Sequence, residues 1–131
     1  MNVYPAATVT ASSNGVFGML LAGGGALIGT LPGGGSTFVI EGNAIGISAQ
    51  AGAGVLLQSG PLSVKNNGVG LAGDGAGTLT VRAAAPHPAA ISGNGLDVNL
   101  QFGTRATFDG VTIGSITCDT TVLSRGSTIC P

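Results

Sequence analysis

Four stretches of this chain repeat one pattern: SSNGVFGML around Asn14, EGNAIGI around Asn43, KNNGVGL around Asn67 and SGNGLDV around Asn94. In each, an Asn beside a small residue separates two short apolar runs. The Asn residues lie 29, 24 and 27 positions apart. Self-similarity at a period of roughly 20 to 50 residues is the signature of a solenoid or array, built from stacked copies of one structural unit. FDGVTIG, residues 108–114, reads as a fifth, degenerate copy in which Asp109-Gly110 stands for the Asn.

The segments between the corners are strands. Val, Ile, Leu and Thr alternate with small or polar residues in STFVI (36–40), TLTV (78–81), GLDVNL (95–100) and ATFDGVTI (106–113), and Gly, Asn and Asp bound them. Each period has room for three strands of about 4–5 residues with three turns. One coil is expected as AIGISA (44–49), a turn at QAGAG, VLLQ (55–58), a corner at SGP, LSV (62–64) and the KNN corner. The next runs from GVGLAG through DGAG, TLTVR (78–82), a longer corner at AAAPHP and AAIS (89–92). Asn suits the recurring corner on two counts. It enters the left-handed backbone region more readily than most residues, and its amide both donates and accepts, so Asn side chains stacked coil over coil can hydrogen-bond along the stack.

The expected fold is therefore all-β: a right-handed parallel β-helix of about five coils over residues 1–114, with a short C-terminal cap over 115–131. A β-sandwich or jelly roll of short antiparallel strands would show similar alternation, but it gives no reason for the repeated Asn corner. The three-strand coil and the Asn corner resemble the right-handed parallel β-helix repeat family, the pectate-lyase-like superfamily, over most of residues 9–117. That resemblance implies a right-handed coil with the Asn corner joining the second and third strand of each turn.

Composition narrows the function. Charged residues are 7% of the chain and the net charge is −1, against about a quarter charged in an ordinary soluble domain. The surface is therefore mostly Gly, Ala, Ser, Thr and Asn, which favours association and offers no electrostatic footprint for nucleic acid. No charged residue precedes Glu41, so VFGMLLAGGGALIGTL (16–31) is the one candidate membrane span. Its glycines, the Pro that follows and the lack of flanking Lys or Arg argue against it, and no membrane span is expected.

Candidate catalytic groups are sparse. Pectate-lyase-like enzymes, by resemblance, cluster Asp for calcium or catalysis and use Arg or Lys as base. Here Asp74 and Asp97 sit at different offsets from their corner Asn, Asp109 belongs to a turn, and Lys65, Arg82 and Arg105 read as solvated charges. Hydrolysis by paired carboxylates needs two at a fixed spacing. His87, in PHP, reads as a loop residue, and GAGVLLQSG and GVGLAGDG lack the following helix that a nucleotide site needs. The Thr-x-Thr pairs TVT (8–10) and TLT (78–80) fall at different places in the coil and form no ice-binding column. No catalytic residue, cofactor or metal site is expected.

The tail carries both cysteines, Cys118 and Cys130. Outside the cytoplasm they can close a disulfide worth roughly 3 kcal/mol by loop entropy. A metal site would need further ligands, and a redox role would need CxxC. Solenoid ends expose strand edges and open cores, so the tail reads as a stapled cap, and by resemblance many secreted β-helix proteins finish on such a segment. The functional expectation is a non-catalytic, extracellular or cell-surface structural or adhesive solenoid. Its expected partner is itself, end to end in a fibre, or a surface glycan. The alternative is a carbohydrate-binding or polysaccharide-processing module.

Overall fold

The computed structural model describes residues 2–3, 7–29, 36–58, 60–83, 87–124 and 130. Among the described residues sixteen strands follow one another without a helix: β1 Asn2–Val3, β2 Thr8–Ser12, β3 Phe17–Leu21, β4 Ala26–Gly29, β5 Thr37–Glu41, β6 Ile45–Ala49, β7 Gly54–Gln58 and β8 Leu62–Lys65 come first. Then come β9 Val69–Gly73, β10 Thr78–Arg82, β11 Ala89–Ile91, β12 Leu96–Leu100, β13 Arg105–Asp109, β14 Thr112–Ile113, β15 Ile116–Cys118 and β16 Leu123–Ser124.

Every third strand belongs to the same sheet. Sheet I runs β1-β4-β7-β10-β13-β16, sheet II β2-β5-β8-β11-β14 and sheet III β3-β6-β9-β12-β15, and all their pairings are parallel. The chain thus winds through sheets II, III and I in turn, a parallel β-solenoid. Crossovers between parallel strands of one sheet are right-handed in nearly all known cases.

The register stacks like residues on like. Ala11, Ile40, Val64, Ile91 and Ile113 form one inward column, and Met19, Ile47, Leu71, Val98 and Ile116 another. In the middle coils these side chains are fully enclosed: Ile40, Ile47, Leu71, Ile91 and Val98 show no exposed surface. Each such burial is worth about 1.5–3 kcal/mol. The buried core runs from Phe38 to Ala106, while Val9, Met19 and Leu21 at one end and Phe108, Ile113 and Ile116 at the other are only partly covered. Of the five passes around the axis, then, the three from β5 to β13 are closed turns. The outer two lack a neighbour on one side, which is how the expected count of about five coils reduces to about three complete ones.

The unequal repeat intervals have a local cause. Three residues separate β7 from β8 and six separate β10 from β11, which accounts for the difference between 24 and 27. Most of the variation falls in the corner from sheet I to sheet II; the first copy also carries one extra residue between Asn14 and β3. ATFDGVTI is not one strand: it breaks at Gly110, whose φ is +65°, into β13 and β14. Asp109-Gly110 therefore occupies that variable corner, and the expected fifth copy of the Asn corner is not there. VFGMLL and ALIG form β3 and β4 around a tight turn, and no helix among the described residues is long and apolar enough to cross a membrane. The second GGG run (33–35), Pro86 and Arg125 lie outside the described residues.

Candidate functional site

The corner between sheets II and III holds the repeated Asn residues in a single column. The backbone N–H and side-chain amide of Asn14 both donate to Oδ1 of Asn43, at 3.0 and 3.2 Å. Asn43 donates in the same way to Asn67, at 3.0 and 3.0 Å, and Asn67 to Asn94, at 3.0 and 2.9 Å. The amides also hold the coil before, Nδ2 of Asn67 donating to the Ile40 carbonyl and Nδ2 of Asn94 to that of Val64, while Nδ2 of Asn67 bonds its own coil at the Lys65 carbonyl. Asn43 and Asn67 are buried, whereas Asn14, on the outermost coil, is exposed. Every rung donates towards the C-terminal end.

The ladder stops on a carboxylate. Asn94 donates from its N–H and Nδ2 to Oδ1 of Asp97, at 3.0 and 2.9 Å. Ser115 then closes the end, accepting from the Asp97 N–H and donating to Oδ2. Burial pushes the Asp97 carboxyl up, but the hydrogen bonds from Asn94 and Ser115 outweigh it and hold the group below the usual aspartate range. A carboxylate makes a strong terminus because charge-assisted hydrogen bonds are about twice as strong as neutral ones.

Asp97 stands where the other coils have glycine. Register places Gly18, Gly46, Gly70 and Asp97 at one level. A Cβ on Gly70 would lie 2.6 Å from the Asp97 carbonyl oxygen and 2.7 Å from Nδ2 of Asn94, and Gly18 and Gly46 are as crowded. The real repeat is thus Asn followed three residues later by Gly, with one extra residue in the first copy. Asp97 is the position where that spacing breaks, and the break was visible in the sequence.

Left-handed backbone is not the reason for the ladder Asn. The positive-φ residues at this corner are their predecessors, Ser13, Gly42, Asn66 and Gly93, with φ from 56° to 75°. The ladder Asn is present for its amide. The glycines after it serve close approach: a Cβ on Gly68 or Gly95 would lie 2.7 Å from a carbonyl oxygen of the adjacent coil.

A second stack fills the corner from sheet III to sheet I. Residues 22–25, 50–53, 74–77, 101–104 and 119–122 each close with the fourth N–H donating to the first carbonyl, at 3.0–3.4 Å. In the first four of these turns both central residues have positive φ: Gly23 and Gly24, Ala51 and Gly52, Gly75 and Ala76, Phe102 and Gly103. That is the φ pattern of a type I′ turn. Gly23 and Gly24 of the first GGG run, Gly52 of GAGVLLQSG and Gly75 of GVGLAGDG are explained by it.

These turns also donate towards the C-terminal end and also stop on a carboxylate. Gly52 N–H donates to the Gly75 carbonyl and Ala76 N–H to that of Phe102. Phe102 N–H then donates to Oδ2 of Asp119 at 2.8 Å, and Gly103 N–H to Oγ1 of Thr121. The Thr121 hydroxyl, followed by the N–H groups of Phe102 and Thr121, holds the Asp119 carboxyl below its usual range. Phe102 is an exposed aromatic with a φ of 51°.

Among the described residues the remaining charges do not converge. Glu41 and Lys65 stack in register with Nζ 3.7 Å from Oε2 on an open surface, a pair worth little. Arg82 aligns with Asp109 at the end of sheet I, Arg105 is exposed on the same sheet, and Asp74 opens a type I′-like turn. His87 precedes β11 in the variable corner. Among the described residues no three of His, Cys, Asp and Glu come together as metal ligands. TVT and TLT lie in different sheets, β2 and β10. Cys118 and Cys130 are joined in a disulfide with their Cα atoms 5.6 Å apart, tying β15 to residue 130. One observation has no physical account: Oδ1 of Asn99, on β12, is buried without a hydrogen-bond partner.

These features define the class of the protein, a parallel β-solenoid with an internal asparagine ladder. No protein-family model, curated protein or solved structure matches the chain.

Proposed function

We propose that this chain is a non-catalytic structural solenoid that works outside the cytoplasm and self-associates through its ends. One observation carries the proposal. All three sheets finish in strand edges, and the core side chains beneath them, Val9, Met19 and Leu21 at one end and Ile113 and Ile116 at the other, are only partly covered. Such edges are templates for pairing with another chain. The weakly charged surface leaves little repulsion to oppose it.

The acidic residues favour a structural role, because Asp97 and Asp119 are engaged as ladder termini and Glu41 faces Lys65. The disulfide supports an oxidising compartment. Membership of the pectate-lyase-like superfamily belongs to the same proposal and rests on the three-strand coil and the Asn corner. The test is light scattering on a sizing column with negative-stain imaging. Discrete dimers or longer assemblies are expected, and a monomer across the concentration range rules the reading out.

Glycan binding is a second reading, and Phe102 favours it: an aromatic ring 62% exposed on a corner where the three coils before it have Gly or Ala. A glycan array probed with the protein and with Phe102→Ala tests it, with Phe102-dependent retention as the expected result.

A further inference from the structure

The two ends of the solenoid are not equivalent. At the N-terminal end the edges of sheets II and III are β2 and β3, five residues each. Their counterparts at the C-terminal end, β14 and β15, have two and three. Short edges blunt strand addition, whereas long uncharged ones invite it. β2 and β3 carry no charged side chain, since none precedes Glu41, and Val16 beside β3 and Leu20 within it are 59% and 50% exposed. The C-terminal end is different in kind. Both corner ladders run their donors into it and stop there, on Asp97 and Asp119.

We propose that the N-terminal face docks against the N-terminal face of a second copy, with β2 pairing antiparallel to its own equivalent in a two-fold dimer. This rests on the self-association reading and specifies which end takes part. The sequence of β2 fits the symmetry. With the axis through Thr10, Val9 lies opposite Ala11 of the second copy, both facing the core, and Thr8 opposite Ser12, both facing outward. Inward and outward positions are preserved, as a correct register requires. The two β2 strands meet without burying or opposing a charged side chain. Head-to-tail stacking would instead give the five residues of β2 only Thr112–Ile113 to pair with. An isologous contact also closes, so it makes a dimer where a heterologous one makes a fibre.

Thr10 and Thr112 lie on one outward column, Thr10–Val39–Ser63–Ala90–Thr112, at opposite ends of sheet II. That arrangement supplies the test. Thr10→Cys and Thr112→Cys are treated with a short bismaleimide, each alone and mixed in equal amounts, with the native disulfide intact. The expected result is a covalent dimer from Thr10→Cys alone and no mixed product. A Thr10→Cys to Thr112→Cys product overturns the inference while leaving self-association standing. Monomer by light scattering at every concentration removes both. As a second measurement, Thr10→Lys places a charge at the exposed centre of the contact. It is expected to halve the mass of the assembly with an unchanged circular dichroism spectrum, and an unaltered dimer mass counts against the proposal.

Discussion

The two repeating corners turn the chain by different means. At the II–III corner the bend is held by side chains: buried amides bond to the coil on either side, and glycines admit them. At the III–I corner the bend is held by backbone, through i to i+3 hydrogen bonds and paired left-handed residues, with the central side chains Ala51, Ala76 and Phe102 exposed. The first corner should therefore be intolerant of substitution and the second permissive, although both repeat once per coil.

The largest effect is expected at Gly70. Its added Cβ would meet backbone oxygen and a ladder amide, neither of which can swing away, so Gly70→Ala should cost about 4 kcal/mol or more. Thermal melting would show this as a drop of roughly 15 °C. A loss below about 1 kcal/mol would mean that the coils are not packed at the spacing described.

The ladder itself can be graded. Asn67→Ala strips the acceptor from the buried N–H and amide of Asn43 and leaves carbonyls of two coils without a donor, a loss of about 3 kcal/mol. Asn14→Ala removes an exposed amide from the end of the same column and should cost about 0.5 kcal/mol. Chemical denaturation of both variants measures the ratio. Equal losses would show that the column is a set of independent caps and not a connected ladder.

How much of this was legible in the sequence differs between the corners for the same physical reason. The Asn corner announces itself because one side-chain chemistry is required at each turn, so Asn43, Asn67 and Asn94 repeat as letters. The III–I corner requires only a pair of φ angles, and Gly-Gly, Ala-Gly, Gly-Ala and Phe-Gly all supply them, so four turns of one geometry have no residue in common at either position. Their glycines drew attention as a nucleotide-loop pattern and failed that test for want of a helix. Asp97 was legible as a residue but not as a terminus. The sequence shows Asp97 in the place that Gly46 and Gly70 take three residues after their Asn, but its role as an acceptor depends on how the coils stack. The variable I–II corner hid the period by changing its length. The cysteines, paired at a spacing that closes one loop, were read directly.

Acid tests the ladder terminus. Asp97 is held below its ordinary value in the folded state, whereas its unfolded value is about 3.9. Its contribution is therefore fully present above that unfolded value and is lost as pH falls through the folded one. Asp97→Asn keeps an acceptor for Asn94 and loses the charge, at a cost of about 1–2 kcal/mol near neutrality. The difference in stability between the two proteins should shrink as pH is lowered from about 5 to 2. Measuring the difference cancels Asp119, which titrates in the same direction in both. A difference that stays constant over that range would show that the Asp97 charge does not hold the end of the ladder.

The smallest expected effect is the most specific to the permissive corner. Phe102 has a φ of 51° at a turn position where Gly75 and Gly23 sit on other coils. A residue with a Cβ in that region carries about 1–2 kcal/mol of strain relative to glycine. Its ring is exposed, so replacing it forfeits little packing, and the N–H that donates to Asp119 remains. Phe102→Gly should therefore stabilise the protein, by about 0.5 kcal/mol after the greater freedom of glycine in the unfolded chain is subtracted. The same change at a side-chain-held position could only weaken it. Gly52→Ala, the converse substitution on another coil, introduces a Cβ at a φ of 78° with open space around it and should cost about 1 kcal/mol. Opposite signs from these two, read by denaturant midpoint, would place the energetics of this corner in the backbone. A loss from Phe102→Gly would place part of it in the ring, and the contrast between the two corners would no longer hold.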